Sequence, residues 1–384
     1  MDTAIVQPVI SKRAARLSIG AFFFLAGLCF ASWASRIPDI KQHLHLSDAG
    51  LGGVLLALPV GLTVSLPFSG WLVHHFGSRK MVLLSAVLYA SALSMIGLAQ
   101  VTWHLVAALF VFGLVGNLLN IAVNTQAVSL EVLYGRSIMA SFHGVWSMAG
   151  FTGASIGTIM INFHLVPITH FCIITLTSFL LITLLYRNTL RQDINADTDR
   201  PLFAKPDAAL LKLGLIAMCC MVCEGAMFDW SGVYFQKVVQ VAKGLTTVGY
   251  TAFMSTMAGG RFAGDRLVTR LGTKRMLQIS GLVIASGLAL AISLPYLYTA
   301  TLGFMLVGIG VSSVVPLVYG AAGKSKQFSP GVALAAVSTI GYLGFLAGPP
   351  MIGFIAQAAS LRWSLALIAV LGFTTTLIST RTKF

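Results

Sequence analysis

About twelve runs of nearly unbroken apolar residues, most of them approaching ~20 residues, decide what this chain can become. A backbone in hydrocarbon must satisfy its own hydrogen bonds, which leaves helices and closed barrels. The runs lack the period-two alternation of barrel strands, so they read as transmembrane helices. The expected spans are 16–37, 49–73, 81–100, 103–129, 137–161, 165–186, 209–236, 246–265, 276–294, 298–320, 331–356 and 361–380. With 57% hydrophobic and 9% charged residues, the main solvent is lipid, and no stretch is left for a soluble domain.

The spans fall into two similar sets. Leu72-Val-His-His-Phe-Gly-Ser-Arg-Lys80 recurs about half a chain later as Leu267-Val-Thr-Arg-Leu-Gly-Thr-Lys-Arg275. Phe30-Ala-Ser-Trp-Ala-Ser35 corresponds to Phe228-Asp-Trp-Ser-Gly232, and His143-Gly-Val-Trp-Ser-Met-Ala-Gly150 to Ile340-Gly-Tyr-Leu-Gly-Phe-Leu-Ala-Gly348. Their shared order implies an internal duplication. The fold class expected is an all-α polytopic membrane protein with two pseudo-symmetric six-helix halves, residues 1–186 and 209–384. The polar stretch 187–208, with Arg187, Arg191, Asp193, Asp197, Asp199, Arg200, Pro201 and Pro206, is the linker.

A net charge of +14 would suggest nucleic acid in a soluble protein, but its distribution here follows topology. Lys12, Arg13, Arg16, Arg79, Lys80, Arg136, the linker cations, Arg266, Arg270, Lys274, Arg275, Lys324, Lys326, Arg381 and Lys383 fall on one side of the span map. Arg36, Lys41, Lys237, Lys243 and Arg362 fall on the other. The cation-rich side is expected to be cytoplasmic, holding both termini and the linker, in a bacterial inner membrane. Residues 12–35 have the look of a secretory signal, yet the spans that follow make them an uncleaved first helix. Cys219, Cys220 and Cys223 read as small apolar packing residues.

The two halves and their loops resemble the major facilitator superfamily over essentially the whole chain. Its loop motif, Gly-x-Leu-x-Asp-x-x-Gly-x-Lys/Arg-Lys/Arg, is matched by Gly70, Leu72, Gly77, Arg79 and Lys80, while the acidic position is His74 and its counterpart is Thr269. The resemblance implies a charge relay between halves, of which part is missing here. Ala31-Ser-Trp-Ala-Ser-Arg-Ile-Pro38, His143-Gly144, Glu224-Gly225, Asp229-Trp230 and Gly341-Tyr-Leu-Gly-Phe-Leu-Ala-Gly-Pro-Pro350 are similar to the YbjJ/MosC-type branch. One member of that branch is associated with rhizopine, an amino-inositol derivative, which implies a sugar- or polyol-like substrate. The Gly-Pro signature of antiporters is absent from Gly150-Phe-Thr-Gly153, whereas Gly348-Pro-Pro350 is expected to kink the eleventh helix.

Among eleven acidic residues, Glu224 and Asp229 sit well inside an apolar helix. A carboxylate facing hydrocarbon costs roughly 2.5–3.5 kcal/mol on insertion scales, so Glu224 should face a cavity, a partner or a bound proton. Glu224 is the leading proton-coupling candidate, with Asp229 and His143 behind it; substrate hydrogen bonding and a structural bond remain open for Glu224. Asn117, Asn120 and Asn124 share one helical face and are candidates to bind hydroxyls, or else to bond neighbouring helices. Trp33, Trp230, Trp146 and Tyr342 are candidates to stack on a ring, or to fill the core. Arg261 and Asp265, four residues apart, form a gating pair or a solvated interfacial pair. His74, Arg79, Gly77, Gly70, Arg36 and Asp39 complete the gating candidates.

No Walker loop, His-Glu-x-x-His or Gly-x-Ser-x-Gly sequence occurs, so no enzyme, cofactor or metal is expected. The function expected is secondary active transport of a small polar solute by alternating access with proton coupling. The partners are the solute, the proton and the lipid bilayer, with no nucleic acid, and the chain acting as a monomer. A uniporter, an exporter of amphipathic compounds, or a non-transporting membrane sensor or scaffold are the alternatives.

Overall fold

Helix boundaries follow local signals in the sequence. In the computed structural model, which describes residues 11–136, 138–193, 207–325, 327–328 and 330–382 except for the side chains at 265, 330 and 331, Ser11 caps the first helix by accepting from the Ala14 amide at 3.1 Å. Ser47 caps the second at Gly50 (3.0 Å) and Asp207 the seventh at Leu210 (2.8 Å). Each side-chain oxygen satisfies an amide that a helix start leaves free.

We number the membrane helices α1 (Lys12–Ser35), α2 (Asp48–Phe76), α3 (Ser78–Gly97), α4 (Thr102–Tyr134), α5 (Met139–Asn162) and α6 (Pro167–Leu185) in the N-terminal half. The C-terminal half has α7 (Ala208–Tyr234), then Val248–Ser293, which breaks at Gly272 into α8 (248–271) and α9 (273–293), then α10 (Leu297–Ala322), α11 (Pro330–Ala358) and α12 (Leu361–Thr380). Eleven of the described helical segments are long and apolar enough to cross a bilayer; α8 is the twelfth expected span. The chain is therefore a multi-pass membrane protein. We call the end holding Lys12, Arg79 and Arg381 the basic face, and the opposite end the far face.

The duplication is written into the backbone. Gly77 joins α2 to α3 at φ 84°, ψ 144°, and Gly272 joins α8 to α9 at φ 76°, ψ 158°. Both lie in a region that side chains with a Cβ rarely adopt, so the repeated glycine is a conformational requirement. Helix pairing repeats as well: α1 packs on α5 as α7 packs on α11, and α3 on α6 as α9 on α12. Two seams join the halves, α2 against α11 and α5 against α8, and the repeat relates one seam to the other.

The start of the linker is bonded to its own half. Asp193 accepts from the Ser78 amide at 2.8 Å and from the Ser78 hydroxyl, capping α3. Gln126 of α4 donates to Ser78 Oγ (2.6 Å) and to the Leu190 carbonyl (3.0 Å), and accepts from the Leu190 amide (2.8 Å).

Candidate functional site

Helix α7 is apolar on every side and 78% enclosed over its most apolar window, so an acid on it must find its partner inside protein. For Glu224 that partner is Arg261 of α8, whose Nη2 stands 3.5 Å from Glu224 Oε1 with the side chains 10% (Glu224) and 18% (Arg261) exposed. The same guanidinium reaches the other half. Its Nη1 donates to Ser147 Oγ of α5 at 2.7 Å and to the His143 carbonyl at 3.5 Å, and its carbon lies 5.8 Å from the centre of the Trp146 ring.

Bonds from a guanidinium to a carboxylate normally close to about 2.7–2.9 Å. The short bond of Arg261 is thus the one that crosses between halves, and the ion pair within its own half is loose. Its Nε has no hydrogen-bond partner. One guanidinium is thus shared between Glu224 of its own half and Ser147 of the other.

Aromatic rings stand between this pair and the far face. Phe30 of α1 and Phe228 of α7 meet edge to face at 5.1 Å, one ring from each half, with Trp146 at 6.2 Å from Phe30 and 6.3 Å from Phe228. Tyr250 of α8 adds a ring 6.3 Å from Phe228, and its buried hydroxyl has no hydrogen-bond partner. Tyr319 of α10 and Tyr342 of α11 lie within electrostatic reach of Glu224.

The sequence candidates separate accordingly. Glu224, Arg261, Trp146 and Tyr342 converge on this centre, with His143 contributing its carbonyl. Asp229, five residues past Glu224, is within electrostatic reach of Tyr250. Trp33 and Trp230 are 1% and 0% exposed with unpartnered Nε1 atoms. The amide stripe divides: Asn117 donates to Ser69 of α2 at 3.4 Å, tying two helices, whereas Asn124 donates to Asn120 Oδ1 at 2.9 Å in a more open setting. Glu131, farther along, accepts from the Ile138 and Met139 amides at 2.7 and 2.9 Å and caps α5.

At the loop between α2 and α3, Arg79 donates to the Arg187 carbonyl at 3.2 Å and lies 5.0 Å over the Tyr186 ring, so it binds the end of α6 in its own half. His74 is exposed, and Gly70 has open space on its Cβ side. The Asp265 side chain, expected to pair with Arg261, lies outside the described residues.

The far face is sealed by bonds across the halves. Asp39, which also receives Arg36 at 2.6 Å, pairs with Lys243 at 3.4 Å. Asp48 binds Lys237 at 2.7 Å and Lys41 at 3.1 Å, and its amide donates to Gln357 Oε1 at 3.2 Å. Thr158 and Thr247 share a 2.6 Å hydrogen bond. Arg36, 1% exposed, stays in its own half, donating to His170 Nδ1 (3.2 Å) and the Leu165 carbonyl (2.9 Å). Gly52 and Gly353 let α2 and α11 touch, since a Cβ on Gly52 would stand 2.7 Å from the Pro349 carbonyl oxygen.

Sequence reasoning missed Ser147, Tyr250, Tyr319 and the acid Asp48. Phe30 and Phe228 head the matched segments of the repeat, and Lys237 and Lys243 stand among the few cations of the cation-poor side, so both carried a signal.

Residues 17–329 match the sequence profile of the Major Facilitator Superfamily. An uncharacterized MFS-type transporter of Yersinia pestis is 35% identical over 366 residues, covering 95% of this chain and 94% of its own. Membrane protein MosC of Rhizobium meliloti is 32% identical over 91% of this chain and 86% of its own. Among solved structures, a bacterial homolog to the human lysosomal transporter Spinster, in an inward-facing and unoccupied conformation, superposes with a TM-score of 0.75 at 14% identity, covering 96% of each chain. That likeness is one of fold.

Proposed function

Because this chain belongs to the major facilitator superfamily, we propose that it is a proton-coupled secondary transporter of a small polar, sugar- or polyol-like solute, with Glu224 carrying the proton and Arg261 relaying its charge state to the other half. Transmembrane transport is the activity that family and fold support; the coupling and the solute are our reading. The observation that carries it is a single guanidinium shared between Glu224 of its own half and Ser147 of the other.

With the basic face in the cytoplasm of a bacterium, both chain ends lie inside and the sealed far face is the side away from the cytoplasm. In the outward-facing state Glu224 takes a proton and the solute settles against the aromatic surfaces. The halves then rock about the midplane. Facing inward, Glu224 gives its proton to the cytoplasm, and Arg261 at 3.5 Å supplies the counter-charge for the carboxylate left behind. No ATP-binding loop is present in the sequence, so the ion gradient supplies the work.

Glu224→Gln mimics the protonated state permanently. In proteoliposomes it is expected to exchange solute between equally loaded compartments at near wild-type rate, yet to lose accumulation driven by an imposed pH gradient. Accumulation that persists in a stable, correctly inserted Glu224→Gln protein would return the coupling role to Asp229 or His143.

A further inference from the structure

We infer that the solute is a small organic monoanion, a ring-bearing hydroxycarboxylate, whose carboxylate docks on Arg261 when Glu224 is protonated. The inference rests on the proton-coupled reading above and narrows its substrate.

Charge balance is the first argument. Among the described residues, the ionisable groups within electrostatic reach of Glu224 are Arg261 and Tyr250 on α8, Tyr319 on α10, Tyr342 on α11, and Cys220 and Cys223 on its own helix. Arg261 is faced by Glu224, Cys220 and, from α5, His143. With Glu224 neutral, none of these groups supplies a negative charge at neutral pH, and the guanidinium beside Trp146 is left without a counter-charge among the described residues. Enclosed charges are expensive unless paired. A neutral solute would leave that cost standing, whereas a carboxylate removes it.

Geometry is the second. A guanidinium binds a carboxylate in parallel through its Nε–Nη2 edge. On Arg261 that edge carries the orphaned Nε and the Nη2 that Glu224 holds at only 3.5 Å, while Nη1 is committed to Ser147 at 2.7 Å. That fork is buried in this conformation, and a second carboxylate that reached it would leave the crossing bond in place. The ring faces of Trp146 and Phe228 and the orphaned Tyr250 hydroxyl suit a ring with hydroxyls.

The approach is the third. A groove of about 770 Å³ on the basic face is lined by Arg13, Arg16, Arg136, Ser141, Phe24 and Met148. It runs along the α1–α5 wall past Phe142 and Val145, and its arginines raise the local concentration of anions at the basic face. One proton on Glu224 and one carboxylate on Arg261 cross together, so no net charge moves and both leave on the same side.

The test uses the full chain in proteoliposomes with an entrapped pH dye, and D-glucuronate and D-quinate as probes against neutral D-glucose and myo-inositol. We expect at least one acid to enter with protons about 10-fold faster than in protein-free vesicles, driven by a pH gradient and indifferent to an imposed membrane potential, with no proton movement for the neutral pair. Binding of that acid should tighten by up to about tenfold per pH unit on acidification, because one proton accompanies it. It should be tight and pH-independent in Glu224→Gln and at least 10-fold weaker in Arg261→Gln. Proton movement with the neutral pair alone overturns the anion and leaves proton coupling intact. Acid binding that needs Arg261 but ignores pH in the wild type keeps the anion site and sinks the coupling. No binding of either acid overturns the inference outright.

Discussion

Arg261→Ala is expected to lower the unfolding free energy by about 3–4 kcal/mol, and adding Glu224→Gln to recover about 2–3 kcal/mol of that. Breaking a fully buried ion pair strands a charge at roughly 3–5 kcal/mol. That figure is reduced here, since the Arg261 side chain is 18% exposed and the N···O distance is 3.5 Å. The lost bond to Ser147 adds about 1 kcal/mol, which removing the Glu224 charge does not restore. Equilibrium unfolding of the four proteins in mixed micelles forms a double-mutant cycle. Additive losses, with coupling under about 0.5 kcal/mol, would show that the pair contributes nothing as a pair.

Asp48→Ala should unseal the far face. Asp48 Oδ1 holds Lys237 at 2.7 Å and Lys41 at 3.1 Å, with side-chain exposures of 45% and 7%. The Lys237 pair crosses the halves but, half-exposed, contributes little alone. Lys41 is the sensitive member: burial pushes its ammonium below the ordinary lysine range, and Asp48 opposes that. Without Asp48 the two cations repel, and Lys41 keeps its 2.7 Å bond to the Leu46 carbonyl as a described partner. A loss of about 1–3 kcal/mol from the sealed state shifts the population about 5- to 150-fold. Labelling of Thr158→Cys by a membrane-impermeant maleimide, with the exposed Cys172 replaced by serine, should accelerate by that factor. An unchanged rate would mean that the seal rests on the glycine contact of α2 and α11.

The architecture was legible because lipid makes apolar length decisive. The expected 361–380 is the helix Leu361–Thr380, and 103–129 differs from Thr102–Tyr134 chiefly at its end, where helix continues past the apolar stretch to a left-handed glycine, Gly135. Glu224 stood out as an acid in an apolar run. Its partner did not, because i, i+4 spacing places Arg261 and Asp265 on one face of α8 without saying what that face meets; Arg261 meets α7 and α5. The amide stripe teaches the same lesson. Periodicity put Asn117, Asn120 and Asn124 on one face, but a straight helix drifts against its neighbours, so Asn117 meets Ser69 while Asn120 and Asn124 meet each other. Which helix lies opposite is a property of the assembled bundle.

The most direct test of Glu224 as the switch needs no solute. Spin labels at Lys80→Cys and Lys274→Cys, exposed sites on the basic face of each half, in the Cys172→Ser background, report the distance between halves by electron–electron double resonance. The wild-type distance distribution is expected to differ between pH 5 and pH 8, and Glu224→Gln at pH 8 to reproduce the wild-type distribution at pH 5 with no further change on acidification. A pH-dependent shift that survives intact in Glu224→Gln, or a wild type indifferent to pH, would contradict the account.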